Sequence, residues 1–428
     1  MNKLENLIQK KCPNGVEYKK LKDVLQSVKT GLNPRQNFKL NTYDAENYYV
    51  TVKEFTTGKI IFSDKTDKIN DEAVKVIQNR SNLGKGDVLF SGIGTIGKVA
   101  VVDIETDNWN CSESVFLLKP NREIITSKFL KYEMESGYVQ KIINSTSVGS
   151  TLKGVRKETL LNIKIPIPPI EVQDEIVRIL DNFTELTAEL TAELTARQKQ
   201  YEYYRNKLLS FDESAESLDT LHTHTHTHTH GYFYGQEIKL IKLGDIGSVC
   251  MCKRIMKNQT KTEGDIPFYK IGTFGKNADA YISKALFKEY KDKYSYPKKG
   301  TILLSASGTI GRTVIYNGEP AYFQDSNIVW IDNDEKIILN KYLYYLYKII
   351  DWKVEGGTIK RLYNDNIKNT VIPVPPLDVQ EKIVNILDKF DKLTNDISEG
   401  LPAEIETRQK QYEYYRNKLL SFNELKIA

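Results

Sequence analysis

Histidine is nearly missing from this chain of 428 residues: five are present, and all five lie in the alternating tract His222–His230. The rest of the chain therefore offers no imidazole for acid–base chemistry or metal binding. We interpret the tract as part of a flexible linker rather than as a metal site, because simple alternation of His and Thr is typical of low-complexity sequence.

Cysteine and long apolar runs are also scarce. Four cysteines, of which only Cys250 and Cys252 are close in sequence, form neither a disulfide framework nor a zinc-ligand pattern, so we expect a reducing, cytoplasmic location. No apolar run reaches about 18 residues and the first residues lack a signal core, so the sequence predicts no membrane span and no export signal. The net charge of +5 permits a nucleic-acid partner without requiring one.

The most informative feature is an internal repeat. The string RQKQYEYYRNKLLSF occurs unchanged at Arg197–Phe211 and at Arg408–Phe422, and a second pair of matching blocks starts at Ile165 and Ile372. The regions before and between these blocks diverge widely, except for a shared G-T-I-G and a shared basic loop. A chain that keeps two segments constant while two others diverge is predicted to have one repeated scaffold and two different readers.

The repeat predicts five segments. They are a first variable domain (1–164), a central conserved helix (165–211), a flexible His–Thr linker (212–236), a second variable domain (237–371) and a C-terminal conserved helix (372–428). In the variable domains, short runs of β-branched and aromatic residues are separated by Gly and Asn, which predicts an α+β fold with mostly antiparallel strands.

The conserved blocks are predicted to be long helices. A diproline marks each helix start (Pro168 and Pro375), and residues 171–211 contain neither Gly nor Pro, which allows roughly 60 Å of helix. Gly400 and Pro402 should break the second helix. One narrow apolar stripe follows each helix, so we expect the two to pack as an antiparallel coiled coil, with a pseudo-twofold axis between the domains.

Three copies of the tetrapeptide ELTA occupy Glu185–Ala196 in the first helix. One interpretation is a helix-favouring stretch of low complexity. The other is a spacer that sets the separation of the two variable domains.

Several sequences imitate catalytic motifs without completing them. Gly92–Lys98 fits G-x-x-x-x-G-K, but Val99 follows where a phosphate-binding loop needs Ser or Thr. FSGIG imitates a loop that binds S-adenosylmethionine, and the second copy, with Ala306 and Arg312, keeps neither pattern. We interpret G-T-I-G as a tight turn that leaves a strand. The sequence predicts a binding protein rather than an enzyme, while a self-contained methyltransferase or nuclease and a non-reading coiled-coil adaptor stay open as alternatives.

The combined motifs resemble a known family over essentially the whole chain. The P-P-x-x-x-Q helix starts (Pro168 to Gln173 and Pro375 to Gln380), the TAEL repeats, Gly400–Glu406 (GLPAEIE) and RQKQYEYYRNKLLSF are similar to the specificity subunit, subunit S, of type I restriction-modification enzymes. The His–Thr tract departs from that pattern.

The resemblance implies that each variable domain is a target recognition domain for one half of a bipartite, asymmetric site on double-stranded DNA. It also implies that the helices dock two modification subunits, which bind S-adenosylmethionine and methylate adenine. Restriction subunits that use ATP and magnesium would complete the complex. We therefore expect no cofactor and no catalytic residue in this chain.

Loops rich in hydrogen-bonding side chains are the candidates for DNA contact, because base edges are recognised by directional donors and acceptors. In the first domain the candidates are Arg35, Gln36, Asn37, Lys39, Ser91, Thr95, Lys153 and Arg156. In the second they are Lys253, Arg254, Lys257, Asn258, Gln259, Ser305, Ser307, Thr309, Arg312, Lys360 and Arg361. For each of them the alternative is solvated surface.

The repeated helix ends supply candidates for partner docking: Tyr201, Tyr204, Arg205, Tyr412, Tyr415 and Arg416. The alternative for these aromatic residues is the core between the helices.

Overall fold

A computed structural model describes residues 2–147, 153–210, 238–357, 360–396 and 398–425, without the side chains of Asn2 and Gln36. The chain divides into two compact units, one formed by Met1–Ala192 with Ala403–Ala428 and the other by Glu193–Pro402. The predicted domains 1–164 and 237–371 each fall within one unit. The predicted linker 212–236, with its His–Thr tract, lies outside the described residues.

The first unit contains short strands and helices. Its strands are β1 (Glu17–Lys20), β2 (Leu25–Thr30), β3 (Asn47–Val50), β4 (Phe55–Thr56), β5 (Lys59–Ile60), β6 (Lys68–Ile69), β7 (Val88–Ser91), β8 (Val99–Val101), β9 (Trp109–Cys111), β10 (Val115–Pro120) and β11 (Lys164–Ile167). Its helices are α1 (Asn2–Lys11), α2 (Leu21–Val24), α3 (Pro34–Asn37), α4 (Asp71–Ser81), α5 (Ser127–Glu135), α6 (Gly137–Thr146), α7 (Lys157–Leu161) and the first part of α8 (Ile170–Leu209).

The second unit follows the same plan. Its strands are β12 (Lys239–Lys242), β13 (Val249–Met251), β14 (Ile266–Tyr269), β15 (Tyr281–Ile282), β16 (Ile302–Ser305), β17 (Thr313–Ile315), β18 (Tyr322–Phe323), β19 (Ile328–Ile331) and β20 (Val371–Val374). Its helices are the end of α8, α9 (Leu243–Ile246), α10 (Lys284–Lys293), α11 (Asn340–Tyr347), α12 (Asn364–Asn369) and α13 (Leu377–Asn395). The last helix, α14 (Leu401–Leu419), belongs to the first unit from Ala403 onward.

Three sheets of the first unit have a counterpart in the second unit, whereas the two-stranded β4–β5 sheet has none among the described residues. A four-stranded antiparallel sheet has the order β2-β10-β7-β8 in the first unit and β13-β19-β16-β17 in the second. A three-stranded sheet has the orders β6-β3-β9 and β15-β14-β18, and its second pair is parallel in both units. Two-stranded antiparallel sheets pair β1 with β11 and β12 with β20. The predicted α+β class and the internal repeat are confirmed.

The inner strands β7 and β16 are apolar on both faces because both faces are covered. Val88 and Phe90 of β7 face the core cluster that contains α5, whereas Leu89 faces a second cluster with Trp109. Alternation of side chains along a strand sends neighbours to opposite faces, so a doubly covered strand needs a continuous apolar run. This packing makes the four-stranded sheet the rigid platform of each unit.

The glutamine of the P-P-x-x-x-Q motif connects the start of each long helix to its own unit by hydrogen bonds. The buried side chain of Gln173 accepts a hydrogen bond from the Thr126 backbone N–H at 2.9 Å and donates to the carbonyls of Ile124 and Pro168, both at 2.8 Å. One amide thus satisfies three backbone groups that would otherwise be buried without partners.

Gln380 repeats this arrangement in the second unit. It accepts from the Leu339 N–H at 2.8 Å and donates to the carbonyls of Ile337 and Pro375, at 3.0 and 2.7 Å. The spacing of the glutamine from the diproline therefore places it one helical turn inside the helix, beneath the chain segment that precedes α5 or α11.

Both conserved blocks form the predicted helices after their diprolines, whereas the first residues of each block (165–167 and 372–374) lie in strands β11 and β20. Helix α8 runs without interruption to Leu209, and the second conserved block is broken between α13 and α14. At Gly400 an added Cβ would lie 2.6 Å from the Lys392 carbonyl oxygen, so the break has no room for a side chain.

The apolar stripes serve first to hold each helix against its own unit. Ile176 and Leu180 are fully buried in the first core, whereas Leu186, two turns later, is 37% exposed. Ile383 and Leu387 are likewise buried in the second unit. Packing of the two helices along their whole lengths as an antiparallel coiled coil stays a prediction. Among the described residues, no helix has both the length and the apolar content that crossing a bilayer requires.

Candidate nucleic-acid interface

The order of the four-stranded sheet brings three loops to one end of each unit. In an antiparallel sheet the end of one strand lies beside the start of its neighbour. Thr30 at the end of β2 pairs with Phe116, and Ser91 at the end of β7 pairs with Val115, next to the start of β10. The loops that follow β2 and β7 and the turn that precedes β10 are therefore neighbours.

The loop after β7 or β16 is the predicted tight turn, here called the glycine turn (92–97 and 306–311). Gly94 and Gly97 have φ values of +80° and +87°, and Gly308 and Gly311 have +64° and +85°. Side chains other than glycine rarely adopt this left-handed region. The shared G-T-I-G is thus explained by backbone geometry.

The structure corrects the prediction for three serines. Ser91 and Ser305 are each 1% exposed, and their hydroxyls accept the backbone N–H groups of Lys98 at 2.8 Å and Arg312 at 2.9 Å. Ser307 is also buried and donates to Asn327 Oδ1 at 2.7 Å. These hydroxyls close the loops from inside, so they do not face a base from the surface.

The predicted basic loops (153–156 and 360–361) lie directly beside the glycine turns. In the first unit the Gly94 N–H donates to the Lys153 carbonyl, and the Val155 N–H donates to the Gly92 carbonyl, both at 2.9 Å. In the second unit the Leu362 N–H donates to the Ala306 carbonyl at 2.9 Å. Two loops that are about 50 residues apart in sequence therefore form one surface in each unit.

A turn that the sequence analysis missed joins these loops in the second unit. Asn327, just before β19, accepts hydrogen bonds from the Ser307 hydroxyl at 2.7 Å and from Arg361 Nη2 at 3.2 Å. In the same turn, Asp325 accepts from Arg254 Nε at 2.8 Å. The turn 324–327 thus contacts the divergent loop after β13, the glycine turn and the basic loop.

The first unit has its counterpart at 112–114. The Gly92 N–H donates to the Ser114 carbonyl at 2.8 Å, as the Ala306 N–H donates to the Asn327 carbonyl at 2.7 Å. Glu113 accepts from Asn33 Nδ2 at 2.6 Å, a contact between the divergent loop after β2 and this turn. Asn33 was not among the predicted residues. Gly94 and Gly308 of the G-T-I-G copies are 214 residues apart, and the same offset would have brought the turns 112–114 and 325–327 to within one residue of each other.

The remaining candidates of the first unit are at the surface. Exposed residues are Arg35, Asn37, Lys39, Thr95, Lys153 and Arg156. Arg35 lies on α3, a single helical turn, and its guanidinium makes no hydrogen bond or ion pair within the described part of the chain. Asn37 donates to the Asn33 carbonyl at 2.8 Å. The side chain of Gln36 lies outside the described residues.

Most candidates of the second unit are also exposed: Lys253, Arg254, Lys257, Asn258, Thr309, Lys360 and Arg361. Two are occupied by local contacts. Gln259 is half-buried and accepts the Met256 N–H at 2.8 Å. Arg312 is half-buried and donates to the Phe274 carbonyl at 2.9 Å, so its guanidinium braces the glycine turn.

The predicted docking residues lie in the packing of each unit. Tyr201 and Tyr412 are only 6% and 7% exposed, and Arg205 and Arg416 lie over their rings at 5.6 and 5.2 Å. Burial of the two tyrosines contradicts their assignment as contacts for a partner, and supports the alternative of a helix core.

Tyr204 and Tyr415 also pack within their units. Tyr204 stacks on Phe390 and Tyr415 stacks on Phe183. Tyr204 is nevertheless 38% exposed, so its docking role stays a prediction. Tyr203 and Tyr414, which were not among the predicted residues, are more exposed, at 58% and 62%.

The chain thus contains two copies of one α+β unit, each with three loops gathered at one end of a sheet. Residues 13–197 and 236–407 match the family described as the type I restriction modification DNA specificity domain. The chain belongs to this family. The prediction of a specificity subunit rather than a catalytic one agrees with that membership.

The chain is also similar to individual proteins whose names describe specificity subunits. The chain is 62% identical over 276 residues to a putative type I restriction enzyme specificity subunit of Haemophilus influenzae, covering 62% of this chain and 66% of the relative. It is 36% identical over 281 residues to a type I restriction enzyme specificity subunit of Escherichia coli, covering 60% and 63%. The matches thus span slightly less than two thirds of either relative.

Solved structures support the fold. A crystal structure of the S subunit of a type I restriction-modification system from M. genitalium matches with a TM-score of 0.52 and 19% identity, covering 95% of this chain and 96% of that one. A chain from a study of complex assembly and conformational transition in the type I system matches with a TM-score of 0.59 and 17% identity, covering 95% and 98%.

Proposed function

We propose that this chain is the DNA-reading subunit of a type I restriction-modification complex, and that each unit reads one half of a bipartite, asymmetric site. One observation carries the proposal: both units present three loops from the same end of the same sheet, with different side chains on them. Matching positions would give both units the same approach to double-stranded DNA. Different donors and acceptors would give the two half-sites different base sequences.

The loops divide into two kinds of contact. The divergent loops after β2 and β13 would read bases, because their side chains differ between the units. The basic loops would bind phosphate, because both carry exposed cations and phosphate contacts contain no sequence information. The phosphate candidates are Lys153, Arg156, Lys360 and Arg361. Ser91 and Ser305 would act indirectly by holding the glycine turns.

Partner subunits would supply the chemistry. Two modification subunits that bind S-adenosylmethionine would dock on the conserved helices and methylate adenine in each half-site, in the cytoplasm. Restriction subunits that use ATP and magnesium would join them. For the docking contacts we favour Tyr203 and Tyr414 over the buried Tyr201 and Tyr412, because an exposed aromatic ring can bury new area on a partner.

Methylome sequencing tests the function directly. Cells that express the chain with its modification partner should carry adenine methylation in one split motif, with two defined halves and an unread spacer. Cells that express the modification partner alone are the control and should lack that methylation. A contiguous motif, or the same methylation without this chain, would contradict the proposal.

A further inference from the structure

The guanidinium of Arg254 in the divergent loop after β13 is held at one edge and open at the other. Its Nε donates to Asp325 Oδ2 at 2.8 Å. A guanidinium has five N–H donors, and the four on Nη1 and Nη2 make no hydrogen bond within the described residues. The Arg254 side chain is 66% exposed, whereas that of Asp325 is 17% exposed. The Nη donors of this exposed side chain are therefore available to a ligand.

Asp325 is itself fixed by the turn that carries it. The Asn327 N–H donates to the Asp325 carbonyl at 2.6 Å, and the Ile328 N–H donates to the Gln324 carbonyl at 3.1 Å. Between them, Ser326 has a φ of +53°, a conformation that non-glycine residues rarely adopt and that is frequent at functional sites. A carboxylate on such a turn orients the arginine more firmly than one on a long, free side chain.

The chemistry of this pair favours a base over a phosphate. A fork with two adjacent N–H groups matches O6 and N7 of guanine in the major groove. A phosphate would also accept the fork, but it is negatively charged and would be repelled by the nearby Asp325. Guanine carries no net charge, so the carboxylate can remain beside the arginine while the base is bound.

The internal repeat provides a comparison. At the corresponding place the first unit has Asn33 paired with Glu113, an amide in place of a guanidinium. Each unit thus has a pair that links the divergent loop to the turn. Asn33 and Arg254 both lie three residues after the end of their strand, whereas the acceptors Glu113 and Asp325 occupy neighbouring positions of the turn. A shared position with a changed donor is expected of a residue that determines specificity.

We propose that Arg254, oriented through its Nε by Asp325, reads a guanine in the half-site of the second unit. Arg254 is the base contact and Asp325 is a positioning residue. This inference rests on the proposed function, since it names one base of one half-site.

The test uses the full chain with its modification partner on a plasmid library that is randomised over the second unit's half-site. The wild type should require a guanine at one position. Arg254→Lys keeps the charge but removes the fork, and Asp325→Asn keeps the shape but removes the charge. Both should reduce the preference for that guanine by about 10- to 100-fold, with the other positions of the motif unchanged.

Lys360→Ala is the matched control, because Lys360 is an exposed cation of the basic loop in the same unit. It should lower methylation of all sequences alike, as loss of a phosphate contact does. If Arg254→Lys changes no single position, or if the half-site contains no G·C pair, the inference is wrong while the proposed function stands. If the wild type directs no split motif at all, the proposed function itself fails.

Discussion

Phe183 stacks on Tyr415 with ring centroids 5.4 Å apart and an interplanar angle of 23°. Phe390 and Tyr204 repeat the contact at 5.7 Å and 24°. Phe183 and Phe390 lie in the first parts of the two conserved blocks. The tyrosine that each of them contacts lies in the repeated end of the opposite block. Each unit is therefore completed by a helix end that is distant in sequence.

This relationship predicts that the two tyrosines stabilise different units. Tyr415→Ala should lower the free energy of unfolding of the first unit by about 1–3 kcal/mol, since a half-buried aromatic contact is lost. Tyr204→Ala is the matched variant and should act on the second unit. Hydrogen exchange measured by mass spectrometry should show faster exchange in one unit for each variant. Equal effects of both variants on both units would contradict the assignment.

Gln173 offers a sharper test of the helix starts. Gln173→Leu should destabilise the first unit by about 2–4 kcal/mol, because three buried backbone groups lose their partner while the apolar volume is kept. Urea denaturation would measure the change. Asp174→Asn, at the exposed neighbouring position, is the control and should be nearly neutral. A loss no larger than that of the control would show that the amide bonds add nothing.

Glu133 is an ionisable residue in a core position. The preceding residue, Tyr132, donates its hydroxyl to Asp181 at 2.6 Å, and Tyr345 of the second unit donates to Asp388 at 2.5 Å in the same way. Tyr132 and Tyr345 are therefore equivalent, and the counterpart of Glu133 in the repeat is the buried Leu346. Burial raises the pKa of the Glu133 carboxyl well above its usual range, and its Oε1 has no hydrogen-bond partner among the described residues.

The sign of the pH effect follows from this raised pKa. A carboxyl whose pKa is higher in the folded than in the unfolded state favours folding below the unfolded pKa of about 4.3, and that contribution is lost as the pH rises through the folded pKa. Glu133→Leu should therefore stabilise the first unit by about 1–3 kcal/mol at neutral pH, and by less at pH 4. Thermal denaturation across this pH range checks it. A gain that does not depend on pH would show that Glu133 does not titrate.

The ELTA repeats are expected to set the number of unread bases between the half-sites. Four residues add ~6 Å of helix and ~400° of rotation, a full turn plus about 40°. One base-pair step turns DNA by about 34–36°. Each repeat would therefore rotate the following domain by about the angle between two neighbouring base pairs. The rise of ~6 Å exceeds the ~3.4 Å of a base pair, so rotation or bending must absorb the difference.

Hydroxyl contacts within the repeat recur every four residues, so that deletion of one copy keeps their spacing. Thr187 and Thr191 donate their hydroxyls to carbonyls four residues earlier, at 2.9 and 2.8 Å. Glu193 pairs with Arg197 at 3.5 Å, and deletion of Glu193–Ala196 would bring Glu189 to the same spacing from Arg197. The deletion should shorten the methylated motif's spacer without changing either half. A deletion variant that methylates only the original spacing would assign the repeats to scaffold alone.

The internal repeat allowed the fold to be predicted from the sequence, whereas the contacts between loops could not be predicted. Identical blocks and diprolines defined the helices, and G-T-I-G defined its turn, because these features depend on local backbone geometry. The pairing of Asn33 with Glu113 depends on strand order, which the spacing of residues does not contain. The burial of the serines beside the glycine turn depends on the same strand order. The sequence did not predict it, and they were therefore assigned to the surface.

The helical period would have distinguished the buried tyrosines of the repeated helix ends from the exposed ones. Leu194, Tyr201 and Leu208 recur every seven residues and so lie on one face of α8, whereas Tyr203 is rotated by about 200° from Tyr201. Tyr201 is buried and Tyr203 is exposed, as this phase requires. The docking prediction included Tyr201 and left out Tyr203, because it did not apply the period.

The central claim is that each unit reads its own half-site, and an exchange of one domain tests it most directly. Residues 1–164 would be replaced by the corresponding region of another family member with a known motif, and the methylome sequenced in the presence of the modification partner. One half of the motif should change to that of the donor, while the other half and the spacer should stay the same. A change in both halves would contradict it.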